Sequence, residues 1–428
     1  MFFLFAMISF VTNLAAPLGT IWKNHYEWSG MLGNMMNFLA YLFMGIPAGN
    51  MLMKIGYKKT ALNAIIIGII GLVLQYLSSV IGGGEVDILN LIIYLCGAFV
   101  CGFCVCMLNT VVNPMLNLLG GGGNRGNQLI QMGGSLNSLA GTLTPFLVGM
   151  LMGEATKATM IQVQPLLWIA IGVFVFALIV VAAVKIPEPH LNQKGAKVSA
   201  KKDKYSPWSF RHFKFGVIGI FFYVGTEVGI PGTLFFYLSD SSVSGITQNA
   251  AAVAGSVVAV YWLLMLVGRL TSSVISQWVS SRTQLITVAS VALVLVLLAM
   301  YVPSTTRVGF FGYSVEEGLT SATIPVSALL LVLCGLCTSV MWGGIFNLAV
   351  EGLGRYTAKA SGIFMMMVVG GGVMPLIQNW LSGAIGYMNS YWLVVAMLFY
   401  LLYYGCLGSK NVNRNIPVDD TTPDALNL

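Results

Sequence analysis

The amino-acid sequence predicts an all-α membrane protein with twelve transmembrane helices in two pseudo-symmetric six-helix bundles. Three observations support this: an apolar composition, twelve apolar runs of spanning length, and two motifs that recur in the second half. Of 428 residues, 57% are hydrophobic, and Lys, Arg, Asp and Glu together make up 8%, whereas soluble domains carry about 25% charged residues. This composition excludes a soluble enzyme, a disordered scaffold and a nucleic-acid-binding protein.

The predicted helices follow from the lengths of the apolar runs. A helix crosses the bilayer with about 20 apolar residues, and the runs lack the polar alternation of an outer-membrane barrel. The predicted boundaries are 1–21, 29–53, 60–82, 88–117, 128–152, 164–185, 213–238, 251–277, 284–302, 325–350, 361–385 and 390–408. The first run has no basic segment before it and no cleavage site, so we interpret it as a retained helix.

Basic residues predict the orientation of the chain. Of the 21 Lys and Arg residues, only Lys23, Lys157 and Arg307 fall in loops on the side opposite the C-terminus, and the others, Arg269 included, are assigned to the C-terminal side. Basic loops stay in the cytoplasm, so we expect a multi-pass protein of the cytoplasmic (inner) membrane with both termini inside. This orientation explains the net charge of +7 without an acidic partner.

A long polar stretch divides the chain. The predicted organisation is an N-terminal bundle at 1–185, a cytoplasmic linker at 186–212, a C-terminal bundle at 213–408 and a cytoplasmic tail at 409–428. The lysines of the linker are either simply solvated or in contact with anionic lipid headgroups.

Two motifs recur between the halves. TNLAAP at 12–17 matches TEVGIP at 226–231, and the Asn, Leu, Gly and Arg of 117–125 match those of 347–355. Parallel repeats related by an axis along the membrane normal are typical of transporters with a midplane site. The duplication therefore predicts alternating access by rocking of one half against the other.

One acid lies well inside a predicted span. Glu227 is the counterpart of Asn13 in the repeat and precedes Pro231 by four residues. Ionisable groups at membrane depth are costly and are functional candidates by default. We consider two roles for Glu227: a cavity residue that carries a proton, or a structural carboxyl hydrogen-bonded to helix 8 or helix 11.

Polar stripes mark helices 4 and 5. Asn109 and Asn113 share one face of helix 4, and Gln131 lies on a polar face of helix 5. Such faces cannot point at lipid. They form either a cavity wall that binds hydroxyl groups or contacts between helices. Helix 11 adds Gln378, and the aromatic side chains within spans are Tyr223, Tyr261, Trp262 and Trp342.

No metal or cofactor site is predicted. The pairs Cys101/Cys104 and Cys334/Cys337 have the spacing of metal ligands, but a site at membrane depth needs more ligands. All three histidines, His212 among them, are predicted to lie in polar loops. We interpret the cysteines as small core residues, and the co-ions we consider are a proton and sodium.

Several segments resemble one family. GIPAG at 45–49 with KIGYKK at 54–59, residues 131–145 with Asn137, residues 221–228, Tyr261-Trp262 with Gly268-Arg269, GLGRYT at 352–357 and PLIQ at 375–378 resemble the fucose–galactose–glucose symporter family of the major facilitator superfamily. The resemblance implies secondary transport of a monosaccharide. It also implies that the titrating Asp and Glu positions of the fucose permease fall on Asn13 and Asn109, whose amides carry no titratable proton.

We therefore expect a non-enzymatic transporter of a hexose or deoxyhexose, coupled to protons through Glu227, coupled to sodium, or uncoupled. The alternatives are transport of another small organic solute and a non-transporting membrane sensor. We expect contacts with membrane lipid, no nucleic-acid partner and a monomer. The predicted substrate-binding residues are Asn13, Asn109, Asn113, Gln131, Asn137, Glu227, Tyr261, Trp262, Trp342 and Gln378.

Overall fold

Helices make up most of the described chain. The structure, a computed structural model, describes residues 1–81, 87–119, 123–152, 159–186, 188, 205–275, 278–314, 318–353, 356–413 and 415–416. The first six long helices are α1 (Phe2–His25), α2 and α3 (together Leu32–Leu77, divided by a break at Gly56), α4 (Ile88–Leu119), α5 (Gly123–Met152) and α6 (Gln164–Ala183). We call this group the N-half.

The remaining long helices form the C-half. They are α7 (Arg211–Ser239), α8 (Ala250–Ile275), α9 (Ser281–Tyr301), α10 (Val326–Val350), α11 (Gly362–Ile385) and α12 (Tyr387–Gly408). The α11 span is not one regular helix: an α-helix at Thr357–Met366 leads through a 3-10 turn at Met367–Val369 into a second α-helix at Gly370–Ile385. We call the end of the molecule where α1 and α7 begin the proximal end, and the opposite end the distal end.

Eleven of these helices are long and apolar enough to cross a membrane. The remaining predicted span corresponds to α5, which has 30 residues and a Gly- and Asn-rich sequence. It packs against α1 and α8. This polar helix therefore packs against one helix of each half.

The start of α3 differs from the prediction. Its predicted boundary was residue 60, but helical backbone runs from Leu32 to Leu77, with one break at Gly56, where φ is 84° and ψ is 176°. The Glu188 carboxylate accepts hydrogen bonds from the backbone N–H groups of Tyr57 (2.7 Å) and Lys58 (2.8 Å). Since the first N–H groups of a helix lack partners within it, this distant carboxylate caps α3 and allows its polar start.

One histidine of the predicted linker also differs from the prediction. Residues 187 and 189–204 of the predicted linker lie outside the described residues, as do 414 and 417–428 of the tail. His212 was predicted to lie in a loop, but it is fully buried in the first turn of α7, with Nε2 2.9 Å from the Glu351 carbonyl oxygen. The ring therefore joins the start of α7 to the end of α10.

A β-hairpin joins α9 to α10. Strands β1 (Arg307–Ser314) and β2 (Gly318–Pro325) pair antiparallel, with Arg307 opposite Pro325. The Arg307 guanidinium donates to the carbonyl oxygens of Ser244 (2.8 Å) and Thr323 (2.5 Å). The Tyr313 ring lies 6.4 Å from the Phe146 ring of α5. The hairpin thus extends from the C-half to the N-half.

Other contacts also join the two halves. At the distal end, Lys23 Nζ donates to Tyr387 Oη at 3.1 Å and lies 4.5 Å from the centre of the Phe236 ring. Deeper in the molecule, Asn34 Nδ2 donates to the Gly371 carbonyl oxygen of α11 at 2.7 Å. That carbonyl has no helical donor because residue 375 is proline. The bond therefore satisfies a group that α11 itself cannot satisfy.

Candidate functional site

Glu227 and Arg269 form an ion pair inside the C-half. Arg269 Nη2 lies 3.3 Å from Glu227 Oε1, and the side chains are 9% and 13% exposed. The assignment of Arg269 to a loop was wrong, because the residue lies within α8. A signal was present: residue 269 falls inside the apolar run 251–277, where a cation needs a partner.

Arg269 has two further acceptors, both on α5. Its Nη1 donates to the Gly134 carbonyl oxygen at 2.6 Å and to Ser138 Oγ at 3.0 Å. A buried charge is tolerated when it is paired and its remaining donors are bonded. The guanidinium therefore connects α7 and α8 of the C-half to α5 of the N-half.

Tyr261 holds the backbone of α7 at the level of Glu227. Its hydroxyl donates to the Glu227 carbonyl oxygen at 3.2 Å and lies 2.9 Å from Thr338 Oγ1 of α10. The helical donor to this carbonyl would be residue 231, but proline has no N–H. The Tyr261 hydroxyl replaces that donor, and the side chain is fully buried.

An aromatic cluster adjoins the ion pair. The Tyr223 hydroxyl faces the Glu227 carboxyl from one turn earlier on α7. Its ring centre lies 6.2 Å from that of Trp342, and Trp342 lies 6.1 Å from Phe364. Trp342 is half-buried. The structure thus brings Trp342 of α10 to the same part of α7 as Glu227.

Three predicted residues are close together at Gly141 of α5. A Cβ atom on Gly141 would lie 3.2 Å from Asn13 Nδ2 and 3.2 Å from Trp262 Cδ2. Asn137 precedes Gly141 by one turn, and its Oδ1 has no hydrogen-bond partner in the described part of the chain. An amide of α1 and an indole of α8 therefore meet at α5, one turn beyond Asn137.

Gln378 packs against α7 near Glu227. It is fully buried, and a Cβ atom on Gly229 would lie 2.6 Å from its Oε1. Among the described residues, neither amide atom of Gln378 has a hydrogen-bond partner, and the same holds for Asn379 Oδ1. Buried polar groups without partners are rare in proteins. This donor and acceptor pair can bind a hydroxyl-bearing molecule.

The asparagines of helix 4 make helix contacts. Asn109 Nδ2 donates to Tyr41 Oη of α2 at 2.8 Å, and Asn113 Nδ2 donates to the Asn109 carbonyl oxygen at 2.9 Å. Both residues remain half-buried. Gln131 belongs to α5, but its side chain lies outside the described residues.

The site offers polar and aromatic groups. Within the described ranges, no group of three or more His, Cys, Asp or Glu side chains could hold a metal ion. The arrangement can bind a neutral polar molecule, and it can hold or release a proton at the Glu227 carboxyl.

Curated proteins similar to this chain are sugar transporters by their names. A glucose/galactose transporter of Brucella abortus is 30% identical over 418 residues, covering 96% of this chain and 93% of that protein. A putative glucose/galactose transporter of Helicobacter pylori is 29% identical, covering 96% and 95%. The L-fucose-proton symporter of Escherichia coli is 21% identical, covering 86% and 81%.

Solved structures share the fold. The fucose:proton symporter of E. coli aligns with a TM-score of 0.65 and 18% identity, covering 96% of this chain and 98% of that one. A D-xylose-proton symporter aligns with a TM-score of 0.66 and 12% identity, covering 96% and 97%. The sequence model of the Major Facilitator Superfamily matches residues 1–374. These matches confirm the predicted fold class, and the chain belongs to the Major Facilitator Superfamily.

Proposed function

We propose that this protein transports a hexose or deoxyhexose by alternating access, with the sugar held between the two halves. One observation carries the proposal: in the described part of the chain, buried amide atoms without hydrogen-bond partners occur in both halves, on Asn137 of α5 and on Gln378 of α11. The names of the relatives, which pair glucose with galactose over nearly the whole chain, support a sugar substrate.

The chemistry of these groups suits a sugar. Each hydroxyl of a monosaccharide both donates and accepts a hydrogen bond, and a carboxamide supplies both complements. The apolar face of the ring can lie on Trp262 or Trp342, which come from α8 and α10. We assign Asn13, Asn137, Trp262, Trp342 and Gln378 to binding.

The remaining predicted residues take other positions in this proposal. Asn109 and Asn113 contribute a half-buried wall on α4, and Tyr261 acts through the backbone of α7. Gln131 is kept as a candidate from its sequence position alone.

Proton coupling through Glu227 is part of the proposal. By the resemblance to the fucose permease, its titrating Asp and Glu positions fall on Asn13 of α1 and Asn109 of α4, whose amides cannot titrate. Glu227 is charged only when deprotonated, and Arg269 is then its counter-ion. Binding of a proton removes the carboxylate charge and leaves the sugar-binding amides unchanged.

We further propose that the proximal end is cytoplasmic, with both termini inside, and that the protein acts as a monomer in the inner membrane. The distribution of basic residues supports this orientation. The boundaries 1–185 and 213–408 remain our proposal for the two bundles, with α7 beginning at Arg211.

Counterflow in proteoliposomes tests the function. Vesicles loaded with unlabelled D-glucose or D-galactose should take up the labelled sugar transiently, with saturation, and protein-free vesicles should not. Imposed proton and sodium gradients then identify the co-ion. Exchange restricted to non-sugar solutes, or no exchange of any solute, would contradict the proposal.

A further inference from the structure

We infer that Arg269 is a positioning residue for coupled transport, which transmits the charge of Glu227 to the contact between α5 and α8. The inference rests on the proposed function in one respect, namely that Glu227 carries the proton. It assigns a role to a residue that the binding proposal does not use.

The hydrogen bonds of Arg269 divide between the halves. Nη2 pairs with Glu227 on α7, and Nη1 donates to Gly134 and Ser138 on α5. The side chain is 9% exposed, so water replaces a lost partner poorly. The same guanidinium therefore senses a carboxylate in one half and holds the backbone of the other.

The surroundings of Glu227 make Arg269 the group that responds to its charge. Tyr223 on α7 faces the carboxyl, and Tyr261 on α8 binds the Glu227 backbone. Around these groups lie Ser138 on α5, bonded to Arg269, Thr338 on α10, bonded to Tyr261, and Gln378 on α11, close to Gly229. All of these are neutral, and in the described part of the chain Arg269 is the cation that contacts the Glu227 carboxylate.

Protonation of Glu227 therefore changes the balance at Arg269. With the carboxylate ionised, the buried cation has its counter-ion and stays in place, bonded to α5. With the carboxyl neutral, the guanidinium retains only neutral partners, and a buried charge without a counter-ion is unfavourable. It then moves toward water and releases Gly134 and Ser138, so that α5 separates from α8.

Distances between α5 and α8 test this inference. Spin labels at Leu136→Cys and Leu270→Cys, both exposed positions, are measured in the full-length protein in nanodiscs after the native cysteines are replaced by serine or alanine. We expect the distribution of distances between the two labels to shift to longer values as the pH falls. Glu227→Gln should give the long distances at every pH, and Arg269→Gln should abolish the pH response.

Ser138→Ala provides a milder variant that keeps both charges. It removes one α5 acceptor, and we expect more of the long-distance population than in the parent protein at each pH. Thermal melts and size-exclusion profiles identify variants that fail to fold. The inference would be overturned if the distances between the spin labels did not change with pH in the parent protein. It would also be overturned if Arg269→Gln kept the pH response, or if Ser138→Ala gave the same distances as the parent protein.

Transport assays separate this failure from failure of the proposed function. If the parent protein shows hexose counterflow and accumulation driven by a pH gradient, the function stands. An Arg269→Gln protein that accumulates hexose in the same way, with the parent's pH profile, would then overturn only the role of Arg269. Absence of counterflow in the parent protein would instead contradict the function itself.

Discussion

Glu227 is the residue on which proton coupling depends. Glu227→Gln keeps the size of the side chain, which lies 3.3 Å from Arg269 Nη2 in the parent protein, but removes the charge and the titratable proton. We expect hexose counterflow to remain and accumulation driven by a pH gradient to be lost. Both are measured in proteoliposomes.

The matched control is Glu351→Gln, an exposed acid after α10 whose backbone carbonyl contacts His212, a bond that the substitution leaves in place. This control should accumulate hexose as the parent protein does. Unchanged accumulation in Glu227→Gln would remove Glu227 from the coupling role.

Tyr261 makes a residue-scale contribution to folding. Tyr261→Phe leaves the Glu227 carbonyl oxygen without a donor, because Pro231 cannot supply one. We expect the free energy of unfolding to fall by about 1 kcal/mol, as for hydrogen bonds between transmembrane helices. Denaturation by SDS in mixed micelles measures it.

Tyr391→Phe is the control for this effect. The Tyr391 hydroxyl is also buried and also donates to α7, to the Ile230 carbonyl oxygen at 3.0 Å, but Leu234 can supply the helical N–H to that oxygen. Its loss should cost less than the loss of the Tyr261 hydroxyl. Equal costs would contradict the explanation based on proline.

At the scale of elements, close packing at Gly141 positions α1, α5 and α8 around the site. Gly141→Val adds atoms where even a Cβ would lie 3.1 Å from Ser9 Oγ and 3.2 Å from the Trp262 ring. We expect hexose affinity to fall about tenfold or more, since Asn13 and Trp262 must shift. Gly172→Val on α6, where nothing lies within 4 Å of the added Cβ, should leave affinity unchanged, and equal losses would oppose this role.

Sequence patterns predicted the long helices because apolar runs of spanning length are a local property. The start of α3 was missed because its cap, Glu188, lies about 130 residues away in the chain. The hairpin at residues 307–325 was missed because apolar window length identifies spans but not short strands between them.

The site was predictable only in part. Polar residues within apolar runs identified Asn13, Glu227 and Gln378, because such residues are costly in lipid. Their partners were not predictable in the same way. Arg269 pairs with Glu227 and with α5 through tertiary packing, and no local pattern gives the direction in which a long side chain points.

At the scale of the whole molecule, Lys23 links the distal ends of the two halves. Its ammonium group lies over the rings of Phe236 and Tyr387, 4.5 and 4.9 Å from their centres. Cation–π contacts contribute about 0.5–2 kcal/mol. Lys23→Gln should therefore shift the population several-fold toward a form that is open at the distal end.

A cysteine at Met31 reports this opening. Met31 is fully buried and lies against Gly232 of the opposite half. We expect Met31→Cys to react several-fold faster with an impermeant maleimide when Lys23→Gln is also present, whereas Lys23→Arg should keep the slow rate. A reaction rate that does not depend on residue 23 would contradict a role for the Lys23 contacts in holding the distal end closed.

The most direct test is equilibrium binding of labelled D-glucose or D-galactose to two purified single variants, one with a substitution in the N-half and one with a substitution in the C-half. Asn137→Ala in α5 and Gln378→Ala in α11 each remove a group that we assign to the sugar, and each should weaken binding about tenfold, the equivalent of one hydrogen bond of about 1.4 kcal/mol. We predict that both variants fold and that both lose affinity for the sugar. Unchanged affinity in either variant would contradict a sugar site enclosed by the two halves.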